Sequence, residues 1–230
     1  MRAAHKHSEK PVRKEMPKRA GSFSIRKTMV IGLTGGIATG KTAVAQMFEE
    51  KGAKVISADE IAHELLKSGT AVREEVIKEF GKTIQKKDGS IERQRLAEIV
   101  FCNPQKKTRL ESFIHPPVIK KLKEEIKRFR SEGEGVLILE VPLLIESSSL
   151  RLVEKVLVVA AEQGTQIKRL EKRYGLERDE AMLRIKSQLP VSEKIKYANW
   201  VINTEGTLSD TKRQVDKVWN SIQKLLALQR

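Results

Sequence analysis

The most specific chemistry in this 230-residue chain is carried by the run Gly35-Gly36-Ile37-Ala38-Thr39-Gly40-Lys41-Thr42. Its spacing is G-x-x-x-x-G-K-[ST], the pattern of a loop that wraps a polyphosphate with backbone N–H groups. Gly35 and Gly40 let the chain take otherwise costly dihedrals and approach the anion closely. Lys41 supplies a point charge for the β- and γ-phosphates, and Thr42 offers a hydroxyl to Mg²⁺. The alternative, a glycine turn with an exposed lysine, leaves two glycines, a lysine and a hydroxyl in register by chance. The surroundings are those the pattern requires. An apolar run at 29–33 reads as a buried strand, and Val44, Ala45, Met47 and Phe48 recur at helical spacing after the loop. That helix would point its positive N-terminal end at the same anion.

Two carboxylates stand where a phosphate-loop protein needs them. Residues 53–57 read as a second short strand, followed by Asp59 and by Ile61, Ala62, Leu65 and Leu66 on a helix. Asp59 is then either a plain N-cap or a carboxylate on the ligand-binding edge of the sheet, since open α/β sheets bind ligands at the carboxyl ends of their strands. Glu140 falls near the end of the apolar run GVLILEVPLL at 135–144, the best candidate for a central parallel strand. An acidic group in that setting is costly without a partner or a task, and at this position it would serve Mg²⁺ directly or through water. Glu146 follows in the loop.

The remaining elements position these groups. Residues 155–161 read as a strand and 200–202 as a short final one. Helical patterns cover 163–173, 177–189 and 207–228. Strands and helices alternate, so the fold class is α/β: a phosphate-loop NTPase-type parallel sheet of about five strands with helices on both faces. Residues 60–131 are helical and highly charged, with helix-period patterns at 93–101 and 117–129 and no evident sheet strand. They read as an inserted lobe, with His115 opening the helix at His115-Pro116-Pro117, as a capping or packed histidine on generic grounds. The two helices between 163 and 195 carry Arg169, Arg173, Arg178 and Arg184, as a lid over a triphosphate requires, because arginine grips phosphate bidentately. An exposed charged face is the plainer reading of the same residues.

Composition bounds the function. The net charge is +15, of which residues 1–28 contribute +7 through nine Lys/Arg against two Asp/Glu. A basic body suits nucleic acid or small polyphosphates, and aromatic residues at 4% are too sparse for a base-stacking surface. Residues 1–28 read as a disordered basic extension without the apolar stretch of a secretory signal; an early start codon, with Met29 the true beginning, is another option. His5 and His7 within it make a poor metal site. No apolar run is long enough to span a bilayer, and a lone cysteine, Cys102, forms no internal disulfide, so a cytoplasmic protein is expected.

Taken together, these residues resemble the dephospho-coenzyme A kinases. The likeness runs from about Met29 to the C-terminus. It rests on GLTGGIATGKT at 32–42, SADEIAHELL at 57–66, His115-Pro116 and VPLLIE at 141–146. Further on it rests on KVLVV at 155–159, QIKRLEKR at 166–173, RIKSQ at 184–188 and the Ala198-Asn199, Trp200, Val201-Ile202 and Asn203 cluster. The resemblance implies transfer of the ATP γ-phosphoryl to the ribose 3′-hydroxyl of dephospho-coenzyme A, with Mg²⁺. It implies catalytic roles for Asp59 and Lys41, with Asp59 receiving or orienting the hydroxyl proton. ATP contacts follow for Gly35, Gly36, Ile37, Ala38, Thr39, Gly40, Lys41, Thr42, Ala43, Arg169, Arg184 and Asn203, and acceptor contacts for Asp59, His63, His115 and Glu140. A nucleotide-binding core (29–59 and 135–230), a substrate lobe (about 60–131) and a lid (about 163–195) are implied, with no nucleic-acid, membrane or protein partner. Three positions depart from the family pattern. Ser57-Ala58-Asp59 replaces Asp-Ala-Asp, Ala38-Thr39-Gly40 replaces Gly-Ser-Gly, and Asn199 replaces an Asp. Ala38 argues against a positive φ at its position, and Asn199 for a weaker structural contact. The alternative function is another small-molecule or nucleoside monophosphate kinase on the same scaffold.

Overall fold

The computed structural model describes residues 28–101 and 103–228. Residues 1–27 of the basic extension, with His5 and His7, lie outside the described residues, as does Cys102. Chain order is β1 (Thr28–Gly35), α1 (Lys41–Glu49), β2 (Lys54–Ser57), α2 (Ala58–Leu65), α3 (Ala71–Phe80), α4 (Arg93–Phe101) and α5 (Pro104–Glu132). Then come β3 (Gly135–Glu140), β4 (Lys155–Ala160), α6 (Gln163–Tyr174), α7 (Arg178–Lys186), α8 (Val191–Ile195), β5 (Trp200–Asn203) and α9 (Leu208–Leu228).

The five strands form one parallel sheet in the order β2-β3-β1-β4-β5. β1 is therefore the middle strand, and its carboxyl end opens directly into the glycine loop. Its residues alternate between two cores, as a strand covered on both faces must. Met29, Ile31 and Leu33 pack with Val44, Ala45 and Phe48 of α1 and with Val215, Val218, Ile222 and Leu226 of α9. Val30 faces the opposite layer, where Val118, Leu122, Ile126 and Phe129 of α5 cover Leu137, Leu139, Val156 and Val158.

Two smaller clusters lie off the sheet. Val76, Ile84, Ile91 and Leu96 form one among α3, α4 and the turn between them. Ile167, Leu170 and Ala181 hold α6 to α7, and Ile37 and Ala38 of the glycine loop pack against them. Between α2 and β3 the described residues add no sheet strand; a single antiparallel bridge joins Gln85 to Ile91.

One expectation about this region is corrected. His115 does not begin a helix. α5 runs unbroken for 29 residues through Pro116 and Pro117, with Asn103 as its N-cap. The prolines remove the N–H groups that would reach the carbonyls of Ser112 and Phe113. Tertiary packing overrides that loss, because the downstream half lies on the sheet and Phe113 and Leu110 join the cluster among α3 and α4.

Candidate active site

The glycine loop is held by its carbonyls. Lys41 Nζ donates to Gly36 O at 2.8 Å and to Gly35 O at 3.3 Å, and Thr39 Oγ1 donates to Gly36 O at 2.9 Å. Gln166 Nε2 of α6 donates to Ile37 O at 2.6 Å, and Arg169 Nη1 to Ala38 O at 3.1 Å. Thr204 Oγ1 donates to Thr39 O at 2.7 Å, while Arg169 fixes Thr204 through its hydroxyl at 3.0 Å and its carbonyl at 2.6 Å. Every peptide here is trans, which sets each carbonyl opposite the following N–H. With the carbonyls of 37 and 39 turned toward α6 and Thr204, the N–H groups of Ala38 and Gly40 face the other way, as the binding of an anion would need.

The loop's shape needs its glycines at two points. A Cβ on Gly35 would stand 2.2 Å from Val159 O of the neighbouring strand, and Gly40 has φ 90°. Ala38 has φ 57°, so the expectation that alanine would avoid a positive φ is corrected. A left-handed alanine costs roughly 1–2 kcal/mol. The bonds to the carbonyls on either side of it, together with the contact of Ile37 and Ala38 with the α6–α7 cluster, impose it. α1 starts at Gly40 with no side-chain cap and no acidic residue in its first turn, so its positive end is left for a ligand.

The two carboxylates flank the loop. Glu140 ends β3, in register with Leu33 of β1 and Ser57 of β2. It is 8% exposed, and Thr42 Oγ1 donates to its Oε1 at 3.0 Å. Burial pushes the Glu140 carboxyl up, while the Thr42 hydroxyl and the Lys41 ammonium pull it back. Burial, helped by the Lys194 ammonium, drives Lys41 down to about 8, against the attraction of Glu140 and, more weakly, of Asp59. Asp59 lies two residues past the end of β2. The N-cap reading of Asp59 is corrected: the cap is Ser57, whose Oγ accepts from Glu60 N at 3.4 Å. Asp59 is exposed and makes no hydrogen bond or ion pair with any described residue, yet its charge acts on both Lys41 and Glu140. It lines a cavity of about 180 Å³ together with His115, Ala62, Val118 and Pro142.

On the other side of the loop a cavity of about 630 Å³ is bounded by Ile37, Ala38, Gly40, Ala43, Arg169, Arg173, Tyr174, Thr204 and Gly206. Arg184 of α7 and Asn203 are not in its wall. Asn203 instead shapes the turn after β5, its Oδ1 accepting from Glu205 N at 2.8 Å. His63, exposed on α2, opens on a different hollow with Arg93, Lys67 and Lys121. Its imidazole is held below the usual range by partial burial and by Arg93.

Sequence reasoning missed Gln166, Thr204 and Lys194. The first two act only through the folded loop. Lys194 is a buried cation just past the helical pattern at 177–189, and nothing in its immediate sequence marks it as buried. Asn199 makes its structural contact through a neutral amide. Its Oδ1 accepts from Val156 N at 2.9 Å and its own N–H bonds Val156 O at 2.8 Å, tying β4 to the start of β5.

The family model for dephospho-CoA kinase matches residues 29–210. The chain belongs to the dephospho-CoA kinase family. A dephospho-CoA kinase from Bacillus cereus is 42% identical over 198 residues, covering 85% of this chain and 99% of that one. One from Carboxydothermus hydrogenoformans is 42% identical over 186 residues, covering 81% and 90%. Among solved structures, a dephospho-CoA kinase from Campylobacter jejuni superposes with a TM-score of 0.59 at 30% identity, covering 85% and 98%. A Thermus thermophilus protein gives 0.66 at 32%, covering 84% and 97%. A shikimate kinase from Acinetobacter baumannii, 14% identical with a TM-score of 0.52, covers 87% and 96% and shares the fold.

Proposed function

We propose that this chain transfers the γ-phosphoryl group of ATP to the ribose 3′-hydroxyl of dephospho-coenzyme A, giving coenzyme A and ADP, with Asp59 taking or orienting the hydroxyl proton. The family's reaction is the ATP-dependent phosphorylation of dephospho-CoA in coenzyme A biosynthesis, and the chain is a kinase of that family. One observation carries the reading of the site. Lys41, Thr42, Glu140 and Asp59 converge at the carboxyl ends of β1, β3 and β2, with the anion loop on one side and the Asp59–His115 cavity on the other.

In this reading the loop amides and Lys41 hold the β- and γ-phosphates, and Arg169 and Arg173 line the ATP side. The acceptor hydroxyl approaches the γ-phosphorus in line. Its proton passes to the Asp59 carboxylate as the O–P bond forms, and the bond to the ADP oxygen breaks. Positioning and charge neutralisation do most of the work in such a transfer. His115 and the helices over 60–131 receive the acceptor nucleotide, and residues 163–195 close over the triphosphate to exclude water.

Mg²⁺ fits this donor set. Thr42 and Glu140 offer a hydroxyl and a carboxylate, both hard oxygen ligands, and no three acidic, histidine or cysteine side chains cluster as a dedicated metal cage among the described residues. That is how proteins hold Mg²⁺ with substrate phosphates, through one or two groups and retained waters. Bound there, it would neutralise charge on the β- and γ-oxygens. Among the described residues no helix is long and apolar enough to cross a membrane. We assign the excess positive charge to polyphosphate binding and place the enzyme in the cytoplasm. Strongly salt-dependent DNA or RNA binding by protein lacking residues 1–28 would overturn the first assignment.

The test is conversion of dephospho-CoA to CoA by purified protein with ATP, with Lys41→Ala alongside. ATP-dependent CoA and equimolar ADP are expected from the wild type, and a loss of at least about a hundredfold in the variant. No CoA from the wild type, or undiminished turnover by Lys41→Ala, would overturn the reading.

A further inference from the structure

Lys194 is wholly buried, and the transfer as described gives it no contact with either substrate, though its charge acts on Lys41. Its Nζ donates to Pro142 O at 2.7 Å and forms an ion pair with Glu146 Oε1 at 2.9 Å. Glu146 also accepts from Leu189 N at 3.1 Å, so this one carboxylate holds the chain on both sides of Pro190. Pro142 O receives a second donor, Thr34 Oγ1 at 3.0 Å, from the buried end of β1. Pro142 and its neighbours Val141, Leu143 and Ser147 form part of the wall of the cavity that contains Asp59 and His115.

Lys194 therefore stands where three regions meet. It lies on α8, which ends the segment carrying the arginine-bearing helices. α8 also touches the anion loop, since a Cβ on Gly36 would come within 2.9 Å of Val191 Cγ2. The third region is the loop after β3 that walls the acceptor cavity. A buried ammonium is costly unless paired and hydrogen-bonded, so the sequence keeps an expensive group at this joint. Six residues before it, Gln188 Oε1 is buried with no hydrogen-bond partner among the described residues.

We propose that Lys194, through Glu146 and Pro142, is a positioning residue that locks the base of the α6–α8 segment to the wall of the acceptor cavity, so that a correctly seated acceptor and a water-tight phosphate site depend on one another. The proposal rests on the kinase reading above. It goes beyond it by assigning the coupling of transfer to acceptor binding to a side chain that touches neither substrate.

Two variants test it. Lys194→Met keeps the bulk and removes the charge, and Glu146→Gln removes the opposite charge from a more accessible position, which keeps the test available if the buried variant does not fold. In each folded variant, assayed below its measured melting temperature, KM for dephospho-CoA should rise about tenfold while KM for ATP moves by less than about twofold. The ratio of acceptor-free ATP hydrolysis to transfer should rise with it, and the double variant should be no worse than Lys194→Met alone. A lower melting temperature with unchanged KM and unchanged hydrolysis ratio would reduce Lys194 to a packing role and overturn the proposal, as would an equal rise in both KM values. If the wild type makes no CoA, the kinase reading fails first. The coupling is then judged by amide hydrogen exchange, which should quicken together over 141–149 and 187–195 in either variant; quickening confined to one segment overturns it.

Discussion

The two sides of the active site are built on opposite plans. On the ATP side the carbonyls of the loop backbone are already engaged. Gln166, Arg169, Thr204, Thr39 and Lys41 take up five consecutive carbonyls, from Gly35 to Thr39. On the acceptor side Asp59 is exposed and unpaired among the described residues, and His115 stands half-buried in the wall of a small apolar hollow. Triphosphate has the same shape whatever it phosphorylates, so a rigid mould suits it. A general base must be engaged only when the right hydroxyl arrives, and a carboxylate tied up in internal bonds would have to be released first. Preorganisation therefore belongs on one side and availability on the other.

The sharpest way to break this contrast is at Asp59. Asp59→Asn should lower kcat by about 10²- to 10⁴-fold and leave ATP affinity unmoved, because the residue braces nothing on the ATP side. Equilibrium nucleotide binding and steady-state turnover on the same sample separate the two, and a matching loss of ATP affinity would mean that Asp59 supports the loop.

A second test uses pH. Burial holds the Lys41 amine at about 8. A bound polyphosphate favours the charged form and raises that value. Binding should therefore take up a proton in the window from about 8 toward the ordinary lysine value, and ATP affinity should fall there by up to about tenfold per pH unit. Calorimetry at pH 8.5 to 9 in two buffers of different ionisation heat reads the proton directly. Lys41→Met should abolish the uptake, and near pH 6.5 the wild type should show none from this group. The same shift sets a stability trend. Unfolded lysine binds more protons than folded Lys41 between these values, so this group's contribution to stability rises with pH across the window.

The third test loosens the mould. Thr204→Val removes the donor to Thr39 O and the acceptor for Arg169 at almost constant volume. A hydrogen bond is worth about 1 kcal/mol net, so ATP affinity should fall roughly fivefold while KM for the acceptor holds. The smallest effect is expected at Ala38. Glycine there relieves a left-handed alanine, and Ala38→Gly should raise the melting temperature by about 2–4 °C, for roughly 1 kcal/mol, as read by calorimetry. A fall would show that the loop's shape is not strained at this residue.

What could be read from the sequence was what depends on neighbours in the chain. The loop, the strand before it and the helix after it follow from one run of twenty residues, and Glu140 is conspicuous as an acid ending an apolar strand. The five strands emerged at nearly their observed limits for the same reason. The tethers did not. Gln166 and Ile37 are 129 positions apart, and Thr204 and Thr39 are 165 apart. Their pairing exists only once the sheet order is set. Local rules also misled where packing overruled them. The residue before a proline is steered away from helix, which suggested a boundary at His115, and alanine resists positive φ, which suggested a relaxed Ala38. In both cases neighbouring elements hold the chain against its own preference. Asp59 was ambiguous because a cap and a carboxylate on the ligand-binding edge occupy the same place after a strand, and the serine two residues earlier takes the cap.

The uninterrupted course of α5 has its own consequence. Its downstream half is pinned beneath the strands by Leu122, Ile126 and Phe129, and its upstream half belongs with α3 and α4 through Leu110 and Phe113. Midway, Pro116 and Pro117 leave two rungs of the helical ladder unmade. A long rod weakened at a single place flexes there first. The weakened point is next to His115, on the wall of the hollow that contains Asp59.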